Sequence, residues 1–483
     1  MTSPLRIFVW ALEGKPETLD PAGRQYSERA IRVKWLLYDT LVNIGRDGRS
    51  LEPGLAEGWT VSDDGLRVEM RIRQNVLFHD GTRLDAQAVK LSFDRQFRTD
   101  LADEKKQVLR ALIDEVRVQD EHTLLFRLKF PGFQYLGQRY LFKLAPVSPD
   151  ALAARGEGLA RNPVGTGPFM HPTWLPDRIV LHKNPRYWGG EPKIDEVHLR
   201  YIPDGNEVVD ALLTGDVDYA PTLSDPDAFD KVLHDSRVKI LMVPGFNVFY
   251  LGFHLRKPPF DTPVARHAVV HALNLHRMAL NGRGAATAAA GPLPPHMQGY
   301  EPSLRQDPYD PEGARDLLRR AGYAGRPVTL VHYGPASFAR HLALAVERDL
   351  REVGVTVLRR EAPTWSEVVS AAQRGEGDLF IYSWHMRTDD AQGFLRALFH
   401  SSNIGVTNLT GYSNPIVDEL LDQPPPHQFS RAIRQVLEDA PMAFLSHWTR
   451  VAAHKVRVRG LRLNIGVLPQ DKLVGVDVGP QDA

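Results

Sequence analysis

The sequence predicts an α/β protein built of more than one packed unit, and three observations carry that prediction. The chain has 483 residues, more than one hydrophobic core normally organises, so two or three units are expected. Short β-like runs alternate with helical patterns along the whole length, the mark of mixed α/β layers. In the second half the alternation runs strand, helix, strand, helix, strand, which predicts a parallel sheet there.

Each element has its own local cause. Val68 to Arg73 reads Val-Glu-Met-Arg-Ile-Arg, an apolar/charged alternation of period two that marks a half-buried strand. Asp80-Gly81 makes a turn, and Asp85 to Phe97 then carries apolar residues at helical spacing. Arg266 to Met278 is predicted as one helix. Asp310 is placed to cap a helix that begins at Pro311, whose φ is pre-set for a first turn, and closes at Gly322. A strand at Val328 to Tyr333, a helix at Ala336 to Val353 and strands at Val355 to Arg359 and Asp378 to Tyr382 complete the repeat. The loops at Leu293-Pro294-Pro295 and Gln423 to Pro426 are too short for flexible interdomain linkers, so the units are expected to be joined by crossing strands.

Composition narrows the function. Hydrophobic residues are 43% and charged residues 24%, so the chain is of the folded, soluble type, and no run of about 18 apolar residues offers a membrane span. Lys plus Arg number 59 and so do Asp plus Glu, which leaves no net field to draw in nucleic acid or anionic lipid. The absence of cysteine removes disulfides, thiolate zinc sites and cysteine nucleophiles together, and it suits an oxidising compartment. Met1-Thr2-Ser3-Pro4 leads into Ile7-Phe8-Val9-Trp10 with no basic n-region and too short an apolar stretch for a signal, so an exported protein would be numbered here from after a removed signal.

A series of short segments runs along nearly the whole chain: Leu55-Ala56-Glu57-Gly58-Trp59, Ser62-Asp63-Asp64-Gly65, Phe78-His79-Asp80-Gly81, Gly165-Thr166-Gly167-Pro168-Phe169, Asn184-Pro185-Arg186-Tyr187-Trp188-Gly189-Gly190 and Gly215-Asp216-Val217-Asp218. They continue through Pro258-Pro259-Phe260-Asp261, Arg266-His267-Ala268, and Gly411-Tyr412-Ser413-Asn414-Pro415 with Asp418. In this order the segments resemble the hallmark of the family 5 solute-binding proteins, which serve dipeptide, oligopeptide and nickel-chelate importers. The resemblance implies a two-lobed fold like that of periplasmic binding proteins, of type II in its large, cluster C form, with a hinge and an interlobe ligand cleft. It places lobe I at 1–245 with a subdomain inserted at about 46–160, lobe II at 246–448, and a return to lobe I at 449–483. It also implies an extracytoplasmic, periplasmic location, a small-molecule or peptide ligand, an ABC permease as membrane partner, a monomeric state, and hinge closure that shifts the population toward a form the permease reads. Taken physically, Gly165-Thr166-Gly167 lacks the Lys-Ser pair of a P-loop and reads as a structural turn, and Tyr187-Trp188 reads as packing.

The ligand-facing residues are sought where a buried-type strand ends, at Tyr382-Ser383-Trp384-His385-Met386-Arg387-Thr388-Asp389-Asp390. Trp384 offers a flat face suited to peptide planes, sugar rings or chelates. In peptide-binding relatives the third residue after this Trp is an Asp that pairs with the ligand's amino terminus; here it is Arg387. Like charges brought together in a dry cleft oppose binding by on the order of several kcal/mol, so the reversal disfavours a free ammonium and favours a carboxylate, phosphate or sulfonate that fits the guanidinium fork. The structural alternative has Arg387 turning outward or pairing with Asp389 or Asp390. His385 is a weaker ligand candidate than a surface role, and Asp390 matches the family's second Asp although Ala391 replaces the usual Pro. On the N-terminal side, Tyr26 and Ser27 follow the first strand, where relatives contact ligand.

Other chemistries are set aside. His267 and His271 share a helical face as zinc ligands do, but confirmation would need a third ligand, and no Glu accompanies them as in the metalloprotease pattern. His400 lies downstream of Trp384, as the metal-binding His does in nickel-binding relatives, among residues that look like those of peptide binders. No Gly-x-Ser-x-Gly elbow, Ser-x-x-Lys context or cofactor fingerprint appears, so neither an enzyme nor a cofactor is expected. A metal-chelate or oligosaccharide binder, or a sensory or chaperone-like receptor using the same cleft, is the alternative function.

Overall fold

The structure, a computed structural model, describes residues 5–22, 27–45, 47–98, 112–139, 141, 144–223, 225–335, 337–386, 389–422, 428–463 and 470–479. The chain forms two compact units, one of Met1–Pro221, Asp235–Leu241 and Ala452–Ala483, the other of Thr222–His234 and Met242–Val451.

The first unit is organised by a seven-stranded sheet in the order Val238–Val243, Arg450–Lys455, Tyr219–Ala220, Ile7–Leu12, Glu196–Tyr201, Arg178–Lys183, Phe169–Trp174. The first strand lies inside it, parallel to Glu196–Tyr201 on one side and to Tyr219–Ala220 on the other. A strand covered on both faces reads as a continuous apolar run, and Ile7-Phe8-Val9-Trp10-Ala11-Leu12 does so. Phe8 and Trp10 are fully buried and meet Tyr219 at centroid distances of 6.0 and 5.3 Å. A second, antiparallel sheet of Ala56–Val61, Arg67–Ile72, Thr123–Leu128 and Ile113–Asp120 belongs to the same unit. There Val68, Met70 and Ile72 are buried while Arg67 and Arg71 are exposed, as the alternation predicts. The helix Ala86–Arg98 starts where Asp85 accepts the Ala88 N–H at 2.7 Å.

The short motifs converge as scaffold. Gly165-Thr166-Gly167 runs against the end of the helix Glu28–Leu37 so closely that a Cβ on Gly165 would lie 2.2 Å from Leu37 O, and one on Gly167 2.5 Å from Leu36 O. Only glycine permits that approach. His79 is buried beside this turn: its Nδ1 accepts the Gly165 N–H at 3.3 Å and its Nε2 meets Gly167 O at 3.0 Å, which assigns the proton to Nε2. Burial holds this imidazole neutral, with its pKa down at about 4.

Asp39, also buried, accepts from Thr166 Oγ1 at 3.0 Å, Tyr187 Oη at 3.0 Å and Trp188 Nε1 at 2.8 Å, and is ion-paired with buried Lys472, whose ammonium also reaches Tyr38 O. Asp218 accepts the Val9 N–H at 2.9 Å and receives a bidentate fork from Arg457, with Nε at 2.6 Å and Nη2 at 2.9 Å. Two buried carboxylates from the N-terminal half therefore hold residues 457 and 472 in place.

The second unit is built on a six-stranded sheet in the order Ala286–Ala288, Met442–Trp448, Phe246–Phe253, Leu379–Met386, Val328–Tyr333, Val357–Ala362. The last three are parallel, as the strand–helix repeat predicts, and Phe338–Glu352 and Trp365–Gln373 are their crossover helices. On the other side of Leu379–Met386 the sheet is antiparallel, so it is mixed. Pro311–Arg320 is capped by Asp310, which accepts the Gly313 N–H at 2.9 Å. The expected helix over Arg266 to Met278 is two, Pro263–Ala272 and Leu275–Leu280. Leu273 is extended, and Asn274 restarts the helix by accepting from Arg277 N while donating its own N–H to buried Asp349. Arg266 donates to the carbonyls of Phe260, Asp439 and Ala440, and Tyr412 and Asn414 donate to the Asp439 carboxylate at 2.6 and 2.7 Å. Among the described residues no helix is long and apolar enough to cross a membrane.

Candidate functional site

Open α/β sheets collect ligands at the carboxyl ends of their parallel strands. In the second unit that edge is marked by Tyr333 and Met386, where two parallel strands end. Phe246 stands opposite Met386, so the antiparallel strand Phe246–Phe253 begins at the same edge. The strand Met442–Trp448 ends there as well, with Ser446 opposite Phe249.

Trp384 sits at this edge opposite Val248, half-buried, and its indole N–H has no hydrogen-bond partner among the described residues. Burying an indole without a partner for its N–H is unfavourable, so an unanswered donor at a strand end is a feature a ligand can exploit. Behind it Tyr333 stacks on Trp365 at 4.8 Å and 20°, and Trp365 meets Tyr382 edge-on at 5.5 Å. Trp365 and Tyr333 are half-buried, so the cluster is an aromatic shelf rather than core. Burial raises the Tyr382 phenol above its ordinary range, which keeps it neutral.

The sequence candidates fall as follows. His385 is exposed and stands opposite Asn247, one residue on from Trp384 and therefore on the other face of the strand. Asp390 is buried and caps the helix Ala391–Phe399, accepting the Gly393 N–H at 2.8 Å. Asp389, also buried, accepts the Gln298 N–H at 2.7 Å. Arg387 and Tyr26 lie outside the described residues. Ser27 belongs to the first unit, where it caps Glu28–Leu37 through Ala30 N and donates to Glu17 at 2.7 Å. The structure thus groups Trp384, His385 and Asp390 in one unit.

Sequence reasoning missed Tyr333, Trp365 and the residues on neighbouring strand ends, Phe246, Asn247 and His447. Only the sheet order brings these to Trp384, and no contiguous stretch of chain carries that order. Asn247 clasps the end of Met442–Trp448 with both amide atoms, donating to Trp448 O at 2.6 Å and accepting Trp448 N at 2.7 Å, while its own carbonyl lies 2.8 Å from His447 Nδ1.

The histidines weighed as metal ligands have other partners. His267 bonds Asp307 through Nδ1 and Glu438 O through Nε2, and its hydrogen bond to Asp307 raises its pKa. His271 Nδ1 meets Pro308 O at 2.9 Å, and His400 Nδ1 accepts from Ser402 N and Oγ. One trio among the described residues has metal-ligand spacing: Asp225, Asp227 and His341 place one ligand atom each within 4.8 Å of the others. Its His341 Nε2 lies 3.6 and 3.4 Å from the two carboxylates, which an ion-pair triad explains equally well.

Comparison with known proteins agrees with this architecture. A family model described as bacterial extracellular solute-binding proteins, family 5 Middle, matches residues 50–406. The chain is 30% identical over 429 residues to Di/tripeptide-binding protein 2 of Pseudomonas aeruginosa, covering 83% of this chain and 79% of that protein. It is 28% identical over 458 residues to Heme-binding protein A of Haemophilus influenzae, covering 87% and 82% respectively. The solved dipeptide-binding protein of Pseudoalteromonas sp. SM9913, in complex with Met-Leu, shares the fold with a TM-score of 0.83 at 23% identity, over 98% of this chain and 100% of that one. With most of its length inside the family model and a relative of this identity aligned over most of both chains, this chain belongs to the bacterial extracellular solute-binding proteins of family 5.

Proposed function

We propose that this solute-binding protein takes up a short peptide at the carboxyl-end edge of the six-stranded sheet and delivers it to an ABC permease outside the cytoplasmic membrane, as a monomer and without chemistry of its own. The observation that carries the reading is Trp384: a half-buried indole with an unanswered N–H among the described residues, at a strand end, in front of the Tyr382–Trp365–Tyr333 shelf. Aromatic faces suit peptide planes, and an indole N–H suits a peptide carbonyl.

Lobe I is formed by 1–245, with a subdomain inserted at about 46–160, and by the C-terminal return at 449–483; lobe II is 246–448, and hinge closure is the device of delivery. Arg387 recognises a carboxylate or other anionic group of the ligand, with His385 and Asp390 flanking it, and Tyr26 and Ser27 contribute from the N-terminal side. A relative named for di- and tripeptides supports the ligand class, and the replacement of the expected Asp by Arg387 supports the anionic preference.

The test is calorimetric titration of ligand-stripped protein with neutral and acidic di- and tripeptides, alongside mass spectrometry of what copurifies. Acidic peptides are expected to bind more tightly, and Arg387→Asp is expected to reverse that order. Binding of sugars or metal chelates with no response to any peptide would refute the reading.

A further inference from the structure

A second unanswered polar atom lies on the same sheet face as Trp384. Val248 is directly opposite Trp384, so the two share a face. Phe249 is directly opposite Ser446 on the other neighbouring strand, and both Phe249 and Trp448 pack on Phe338, at 5.4 and 4.5 Å, on the opposite face. His447, between Ser446 and Trp448, therefore projects to the Val248 and Trp384 side. Phe246 is on that side too, with the His296 ring 5.0 Å away.

His447 is 5% exposed. With its Nδ1 at 2.8 Å from the carbonyl of Asn247, that nitrogen carries the proton, and Nε2 is left as a bare acceptor. Nε2 is buried and has no partner among the described residues. One face of the ligand-collecting edge thus offers a buried acceptor, His447 Nε2, and a buried donor, Trp384 Nε1, on strands that flank Val248. A peptide unit carries the complementary pair, an N–H and a C=O. An ammonium would find a neutral imidazole a poor substitute for a counter-charge, so the acceptor suits an uncharged N–H.

We propose that His447 is a ligand-binding residue whose Nε2 accepts a hydrogen bond from a peptide N–H of the bound solute, while Trp384 donates to a carbonyl of the same molecule. This deepens, and rests on, the peptide reading given above. It assigns to the site a residue far beyond Trp384 in the sequence, on a different strand.

The experiment selects the tightest binder from a di- and tripeptide library by mass spectrometry, then resynthesises it with each peptide N–H replaced in turn by an ester oxygen. The titrations are run on wild type, His447→Asn and His447→Gln. Asn reproduces the Nδ1–H toward Asn247 and deletes the Nε2 acceptor, whereas Gln carries an acceptor near the Nε2 position. One ester substitution is expected to weaken wild-type binding about ten-fold and to weaken His447→Asn less than about two-fold, with Gln intermediate. Retention of no library peptide sinks the peptide reading and this proposal with it. Retention of a peptide with no ester effect in wild type, or with the same effect in wild type and His447→Asn, overturns the proposal alone. A wild-type scan without an ester effect overturns the proposal even if one variant fails to fold, and either His447→Asn or His447→Gln suffices for the comparison that assigns the acceptor.

Discussion

Replacing Asp39 by Asn removes one charge from a buried site and leaves another behind. The wild-type carboxylate takes the ammonium of Lys472 and three neutral donors, from Thr166, Tyr187 and Trp188. Both charged partners are buried, at 3% and 6% exposure, so solvent cannot take over the role of either. Breaking such a pair from one side costs about 3–5 kcal/mol, because the surviving charge stays desolvated, and the introduced amide oxygen still accepts from some of the neutral donors, so about 4 kcal/mol is expected. Against a total stability on the order of 5–15 kcal/mol that is a large fraction. Lys472→Met should cost less, about 2 kcal/mol, because the carboxylate keeps three hydrogen bonds. The double variant should cost no more than Asp39→Asn alone, giving a coupling of about 2 kcal/mol. Urea unfolding followed by circular dichroism measures all three. An Asp39→Asn loss below about 1 kcal/mol, the range of an exposed pair, or a coupling of zero, would refute the argument that this pair is a desolvated clasp.

Three other outcomes are expected. The raised pKa of His267 means its bond to Asp307 stabilises fully below the unfolded value near 6.5 and is lost as pH rises through the folded value; His267→Asn should therefore remove about 1 kcal/mol at about pH 6 and little at about pH 9, read as a flattened melting temperature against pH. Gly167→Ala places a Cβ 2.5 Å from both Leu36 O and Leu37 C, backbone atoms that cannot swing aside, so a loss of about 3 kcal/mol or more is expected in denaturant titration. Arg457→Met removes the guanidinium fork from the buried Asp218 carboxylate, which keeps the Val9 N–H, and should cost about 3–5 kcal/mol, with limited proteolysis showing faster cleavage within 450–479.

Local signals were legible wherever cause and effect lie within a turn or two of chain. Asp310 announced its helix as a cap, the apolar spacing after Asp80-Gly81 announced the helix that Asp85 caps, and the Val68–Ile72 alternation announced its buried face. Two separate helices over Arg266–Met278 were not legible, because Asn274 restarts the helix only with Asp349 accepting its N–H from 75 residues away. The same distance problem hides the partners of the short motifs. His79 is explained by a turn nearly ninety residues later, and Asp39 by a lysine more than four hundred residues later. Trp384 stood out because a strand visibly ends beside it; His447 did not, because its place on the same sheet face follows from pairing between strands that are distant in sequence.

The clasps at Asp39 and Asp218 also set an order of assembly. The first unit begins at the start of the chain, yet two of its buried carboxylates wait for partners at 457 and 472. During synthesis the second unit, whose main segment ends at Val451, can close while the earlier-made unit still lacks its last pieces. The earlier-made part of the first unit thus stays without two of its buried charge partners until residues 457 and 472 have joined it.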